Sequence, residues 1–329
     1  MKKVPGDEPE VPTSEFDDAT NADLSGAVLV HLALSRYAAN FILNEVEPSK
    51  LHEFPFVIPV IEGVELPGHA PFRRDTAVER LHHSRVSIRR MRSTLKTFDG
   101  LFNQQWSNAL QRELSWYASV LGVARDLEVM RDNICSALGT EASTEAGAFV
   151  LGRVDKAIAD AHEQCGQLSR TERYRTMLTA VSKLSSTIEF APAAYRPAHR
   201  AIRRGITTAW RHVDVARGDA ERRSTARRLH RLRIELKRLQ YAAEIAGVAA
   251  GESVARVADG AEKLQTKLGG VHDSIVARQW LGQLRDGGDD VVALVAQLRD
   301  HYRQVQRETL EGWRDEMGRL NRRWRDVDF

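Results

Sequence analysis

From residue 21 onward the apolar positions recur at intervals of three and four, the spacing of one face of an α-helix, and no alternating β-branched run interrupts them. Leu24 to Leu43 is the longest apolar region. It is broken by His31 and Arg36 and keeps helical periodicity, so it reads as a helix of the fold and not as a membrane span. The exception to the helical pattern is "HEFPFVIPVIEGVELPGHAPF" at 52–72, where Pro55, Pro59, Pro67 and Pro71 exclude a helix. An extended loop with a short strand pair near 56–65 is expected there, turning at Gly63 and Gly68. Further breaks fall at "GTEASTEAG" (139–147), "FAPAAYRP" (190–197) and "RDGGDD" (285–290).

The helical segments repeat. "LHHSRVSIRRMR" (81–92) aligns with "LHRLRIELKRLQ" (229–240) at an offset of 148, matching His82 to His230, Arg85 to Arg233, Arg89 to Lys237 and Arg90 to Arg238. "LGVARDLEV" (121–129) aligns with "LGGVHDSIV" (268–276) at an offset of 147, matching Asp126 to Asp273. Two separate segments agreeing on one offset point to a duplicated helical unit, each copy with about four helices.

On a helical wheel the first segment carries Leu81, Ile88, Met91, Leu95 and Phe98 as a core-facing stripe. His82, Arg85, Arg89, Arg92 and Lys96 fall in a sector about 80° wide beside it, with Val86 beyond. The second segment repeats the plan. Leu229, Leu232, Leu236, Leu239 and Ala243 form the stripe, His230, Arg233 and Lys237 the basic sector, and Ile234 and Tyr241 a second apolar edge. A solvated face with its arginines paired to acids on neighbouring helices would have the same charges. The second apolar edge favours cations lining a groove, which repel one another unless an anion lies against them.

Composition sharpens this. The 329 residues are 42% hydrophobic and 28% charged, enough for a sizeable core, and the net charge is only +3. That average conceals a local +6 at 73–96 and +10 at 196–240, which leaves the rest of the chain at −13. Of the 48 basic residues nine are lysine, so the cations are chiefly arginine, whose planar fork pairs bidentately with phosphate or carboxylate. The first 20 residues carry two lysines against six carboxylates and no apolar run, and read as a disordered acidic tail without a signal peptide. Cys135 and Cys165 are the only cysteines and form no Cys-x-x-Cys, which suits a reducing cytoplasm.

The pattern His82-x-x-Arg85-Val86-x-x-Arg89-Arg90-x-Arg92, then Leu121-Gly122-x-x-Arg125-Asp126-Leu127-x-Val129, resembles the signature of the CHAD domain, the conserved-histidine α-helical domain. His230-x-x-Arg233-x-x-x-Lys237-Arg238-Leu239-x-Tyr241-x-x-Glu244 and "KLQTKLGGVHD" (263–273) resemble that family's second half. The resemblance covers about residues 21–325. It implies an all-α fold of two four-helix bundles related by a pseudo-two-fold, the first repeat at about 21–190 and the second at 191–326. It also implies a basic channel between the bundles that binds inorganic polyphosphate, without catalysis and without a cofactor, at polyphosphate granules in the cytoplasm. By motif match the ligand residues would be His82, Arg85, Arg89, Arg90 and Arg92, with His230, Arg233, Lys237 and Arg238. Lys96 is added from the wheel and Lys267 from its place beside the second Leu-Gly. Gln240 departs from the pattern, standing where a basic residue is expected.

Three other readings share these residues. Nucleic acid presents the same phosphates, but the basic sectors hold no base-reading Asn/Gln pattern and no interleaved aromatics, so no specific nucleic acid is expected. A metal-dependent phosphohydrolase or oxidase could use Glu79-x-x-His82, but the second copy has Arg227 in the glutamate's place. A scaffold for protein partners at a granule surface is compatible with polyphosphate binding. Asp126 and Asp273 are expected either to orient an arginine of the channel or to pair locally on the helix surface.

Overall fold

The computed structural model describes residues 13–15, 24–60 and 71–327. Gly63, Gly68 and most of the expected acidic tail lie outside the described residues. The described chain is helical apart from one pair of three-residue strands. β1 (Thr13–Glu15) runs parallel to β2 (Ile58–Val60), with Thr13 opposite Ile58. So the strand expected in the 52–72 segment exists, but its partner comes from the segment read as a disordered tail. Pro59 has no N–H to donate, which suits a two-stranded pair with an open edge.

The described residues form ten α-helices: α1 (Gly26–Glu45), α2 (Ala77–Thr97), α3 (Gln104–Leu138), α4 (Glu145–Leu168), α5 (Glu172–Ser182), α6 (Ala198–Arg222), α7 (Ala226–Ala250), α8 (Glu252–Leu281), α9 (Asp289–Leu310) and α10 (Trp313–Arg325). About eight were expected. The extra two are the short α5 and α10, each following a long helix that carries no motif. The residues group into two compact units, Met1–Ser115 with Glu172–Ile202, and Trp116–Thr171 with Arg203–Phe329. These boundaries fall inside α3 and α6, so the units cut across the two sequence repeats.

In the first unit α1 is the central helix and packs against α2 and α5. Fifteen of its twenty residues are buried, so polarity has little room on any face. By length and composition α1 could cross a membrane, but 78% of its apolar window is buried inside the fold, as expected of a core helix. Its two polar interruptions are accommodated separately. The His31 Nε2–H donates to the Ser185 carbonyl at 3.1 Å, while Arg36 lies half-buried at the α2 side, where Arg90 acts on it. Opposite, α2 buries the predicted stripe: Ile88, Met91 and Leu95 are fully enclosed, and the small Ser84 and Ser87 are buried beside them.

In the second unit α7 and α8 form an antiparallel hairpin joined at one residue, Gly251, whose φ of +81° lies in the left-handed region that favours glycine. Leu232, Leu236 and Leu239 of α7 and Val254, Val257, Ala261 and Leu264 of α8 are fully buried. α9 and α10 cover α8, and a further apolar cluster joins α3, α4, α8 and α9 around Ile134, Val154, Leu281 and Leu298.

Candidate polyanion-binding site

The first basic sector survives as a geometric fact, because α2 is unbroken from Ala77 to Thr97 and His82, Arg85, Arg89, Arg92 and Lys96 share one of its faces. Its N-terminus is fixed by a capping box in which the Thr76 hydroxyl accepts from the Glu79 N–H and the Glu79 carboxylate accepts from the Thr76 N–H and hydroxyl. The Thr76 hydroxyl holds the Glu79 carboxyl below its ordinary range. The carboxylate of Glu79-x-x-His82 therefore serves the helix end. Among the described residues no group of three or more His, Cys, Asp or Glu side chains is placed to hold a metal ion.

Along this face His82 is exposed and meets the His83 ring edge-on, with centroids 5.3 Å apart. Arg85, Arg89 and Arg92 are half-buried, and the Arg89 Nε is buried without a hydrogen-bond partner. Lys96 is exposed in the last turn, where the helix dipole favours a cation. Arg90 points elsewhere. Its guanidinium lies 5.5 Å from the centroid of the Tyr37 ring on α1, a cation–π contact, and its charge acts on Arg36. Burial lowers the affinity of Arg36 for its proton; Tyr37 opposes this, and Arg90 adds a smaller push in the same direction as burial. Arg36 thus belongs with the cations of this unit, although the sequence shows it only as a break in an apolar run. Arg73, by contrast, is committed to structure, donating to the Leu43 and Val46 carbonyls at the end of α1.

The second basic sector is organised by the hairpin. With Gly251 as the bend of an antiparallel pair, residues equally distant from it on the two sides face each other. Gly247 accordingly meets Ala255, four residues either way. Arg233 meets Gly269 at eighteen: a Cβ on Gly269 would sit 3.5 Å from the Arg233 Nε and Nη2 and 3.9 Å from its Cζ, so the Nε/Nη2 edge of the guanidinium comes up against the bare glycine. His230 meets His272 at twenty-one, the ring centroids 4.5 Å apart and the planes inclined by 40°. The Leu-Gly-x-x-His-Asp stretch of α8 is therefore the facing half of the His-x-x-Arg motif of α7.

His230, Arg233, Lys237 and His272 form one electrostatic cluster, with Asp126 of α3 as the acid that acts on both rings. Burial, then the charges of Arg233 and Lys237, push the His230 pKa below its ordinary value. Burial, then His230, Arg233 and Lys237, push His272 down to about 4, against the opposing pull of Asp126. Both rings are neutral at neutral pH. Asp126 thus acts on the histidines of the second motif copy.

The other candidates in this unit are placed differently. Arg238 donates from its Nη1 to both carboxylate oxygens of Glu235 one turn back, at 2.7 and 2.8 Å. Lys267 lies with its Nζ 3.1 Å from where a Gly312 Cβ would be, and its charge acts on Glu316 of α10. Gln240 is buried and donates to Glu244 at 3.0 Å, so its place in the motif is an inward one. Of the second apolar edge, Tyr241 is buried and Ile234 is 38% exposed. Much of the +10 segment is also paired: Arg217 with Asp214 and Glu221, Arg222 and Arg231 with Asp219. His162 bonds Glu128 at 2.8 Å across α3 and α4.

His272 is the functional candidate that sequence reasoning misses. It aligns with Arg125 of the first copy, a basic residue in the same place of the repeated segment, and that correspondence is the available signal.

A sequence profile described as the CHAD domain matches residues 66–282. Uncharacterized proteins of two Mycobacterium tuberculosis strains are 32% identical over 225 residues, which cover 64% of this chain and 41% of the relatives. The chain thus spans less than half the length of those relatives. Among solved structures, PptA from Streptomyces chartreusis superposes with a TM-score of 0.64 at 19% identity, over 92% of this chain and all of that one. The CHAD domain from the plant Ricinus communis superposes with a TM-score of 0.66 at 20% identity, over 96% and 97%. At these identities the superpositions show a shared all-helical fold.

Proposed function

The chain belongs to the CHAD family, and from that premise we propose that it binds inorganic polyphosphate through its Arg/Lys/His faces on α2 and on the α7–α8 hairpin. The observation that carries the reading is the second cluster. Arg233 and Lys237 sit one turn apart on α7, their charges act together on the facing His230 and His272 rings, and a leucine seam holds the helix in place. Polyphosphate carries about one charge per phosphate on a flexible chain without bases, so it calls for arginine forks and not for stacking aromatics. Both faces supply the former. The proposal includes the channel in which one polyphosphate chain engages cations of both motif copies, a role as a binder and not a catalyst, and residence at polyphosphate granules in the cytoplasm.

The test is a competition titration at near-physiological salt. Protein loaded with labelled long-chain polyphosphate is challenged with duplex DNA, single-stranded RNA and short phosphate chains, for the wild type and for Arg85→Ala/Arg233→Ala. Displacement by long polyphosphate alone, with binding lost in a folded double variant, supports the proposal. Equal displacement by DNA or RNA would make these faces a general polyanion surface. Phosphate release from the bound chain on prolonged incubation would contradict the non-catalytic role.

A further inference from the structure

His230 and His272 are held as a pair by the register of the α7–α8 hairpin, with ring centroids 4.5 Å apart. Two neutral rings next to Arg233 and Lys237 add no charge to an anion site, yet they occupy its centre. The His230 Nδ1 is buried and has no hydrogen-bond partner, so a ring nitrogen there can accept a proton. We infer that the His230–His272 pair is the proton-accepting part of this site, and that phosphates docking on Arg233 and Lys237 draw protons from solvent onto the rings. Binding is then proton-coupled, and His272 joins the residues that recognise the ligand. The inference rests on the polyphosphate reading above.

The charges around the pair decide the direction. From α7 Arg233 and Lys237 face the rings, and from α3 Asp126 does. On α8 itself Asp273 follows His272, and Lys267 lies more than a turn away beside Gly312 and Glu316 of α10. Thr309 of α9 meets α8 at Gly270 without a charge, and Arg323 of α10 meets it at Gly260, about three turns from His272. Without ligand, burial and then the cationic neighbours depress both rings, His272 to about 4. A phosphate chain on Arg233 and Lys237 offsets those cations and adds negative charge, so the depression is relieved. The internal phosphates of a long chain stay ionised throughout, so the protein is the partner that takes up protons.

The magnitude follows from the free value. If the bound His272 ring returns only to the ordinary value of about 6.5, affinity rises about tenfold between about pH 7.5 and about pH 5.5. Uptake then approaches about one proton for this ring at the lower pH.

The experiment is calorimetric titration of the full chain with long-chain polyphosphate at both pH values, each in two buffers of different ionisation enthalpy. It is run on the wild type and on His230→Gln/His272→Gln, with circular dichroism to confirm folding. Proton uptake by the wild type and a pH ratio of affinities that falls several-fold in the variant support the inference. Binding without uptake, or an equal pH ratio in both proteins, overturns it and leaves polyphosphate binding intact. Absence of binding at either pH overturns the functional proposal and this inference together. Should the variant fail to fold, the imidazole proton resonances of the wild type titrated with and without polyphosphate give the ring pKa values directly. Values unmoved by ligand overturn the inference.

Discussion

Arg233 and Arg238 lie five residues apart on one helix, and the motif alone gives them equal claim to the ligand; the structure makes their substitutions opposite in effect. The Arg233 guanidinium rests on Gly269, positioned by the hairpin beside His230 and Lys237. A charge-assisted bond to a phosphate contributes about 1.5–3 kcal/mol, so Arg233→Ala is expected to weaken polyphosphate binding roughly 10- to 150-fold. Arg238 already gives its Nη1 to both carboxylate oxygens of Glu235, whose side chain is 13% exposed. Serving a phosphate would exchange one charge-assisted pair for another, and the remaining long-range attraction is screened beyond about 8 Å at physiological salt. Arg238→Ala is therefore expected to weaken binding by less than about fivefold, or about 1 kcal/mol. It should instead destabilise the fold by roughly 1–2 kcal/mol, because it takes from a mostly buried carboxylate its nearest charged partner and leaves it His212 at 4.0 Å. Anisotropy titrations with labelled polyphosphate and urea unfolding of both variants separate the two profiles. If Arg238→Ala loses as much affinity as Arg233→Ala, the ion pair opens in the complex and the argument from the free structure fails.

Two further consequences are testable on the unliganded protein. A Cβ on Gly26 would stand 2.4 Å from the Ala201 Cβ and 3.3 Å from the Ala194 carbonyl, so Gly26→Ala overpacks the first turn of α1. Overpacking costs about 1–3 kcal/mol and the helix gains about 1 from alanine; a contact as short as 2.4 Å belongs at the upper end of that cost, so thermal melts should show a net loss of about 2 kcal/mol. An unchanged midpoint would mean that the contact yields. The lowered pKa values of His31, His230 and His272 give the fold an acid-side liability. The unfolded chain binds protons below about pH 6.5 while the native rings stay neutral, so stability is full above that value and falls as pH drops toward the native pKa values. His272, at about 4, accounts for roughly 3 kcal/mol of the loss by about pH 4. Urea unfolding at successive pH values should show a smaller acid loss for His272→Gln, and a loss equal to that of the wild type would place the liability elsewhere.

The helical class and both basic helices were legible because they rest on periodicity. Ile88, Met91, Leu95, Leu232, Leu236 and Leu239 are buried as the wheels require, and the α2 cations share the face that their spacing assigns. What escaped the sequence reading depends on contacts distant along the chain. Arg36 interrupts an apolar helix, and only the packing of α1 on α2 brings it under the influence of Arg90. His272 becomes part of the site once Gly251 is recognised as a one-residue bend, because the bend fixes which residues of α7 and α8 meet. The pairing of Arg238 was nearer to hand, since Glu235 lies one turn before it. A helical wheel drawn for cations alone does not ask where the acids are. The strand partner of Ile58–Val60 lay in an acidic segment whose composition argues for disorder, and three residues of backbone pairing leave little compositional trace.

The two cation groups share an energetic feature that bears on why the protein binds at all. In each, an apolar seam holds like charges together: Arg36 and Arg90 where α1 packs on α2, and Arg233 and Lys237 beside the two neutral imidazoles where α7 packs on α8. Hydrophobic burial along the seams offsets this repulsion in the free protein, and a polyanion relieves it. Affinity and unliganded stability should then oppose each other at these positions. Arg36 is the sharpest case, since burial chiefly, and Arg90 to a lesser degree, disfavour its charged form, with Tyr37 only partly opposing them. Replacing it by methionine keeps the length and removes the charge, so Arg36→Met should leave the unliganded protein as stable as the wild type, or more stable by about 1 kcal/mol. The same substitution should reduce the thermal stabilisation conferred by saturating polyphosphate. Melting curves with and without long-chain polyphosphate read both effects in one experiment. A variant that melts lower when free, with its polyphosphate-induced shift unchanged, would show that Arg36 supports the α1–α2 packing, and the opposition between stability and binding would not hold for the first unit.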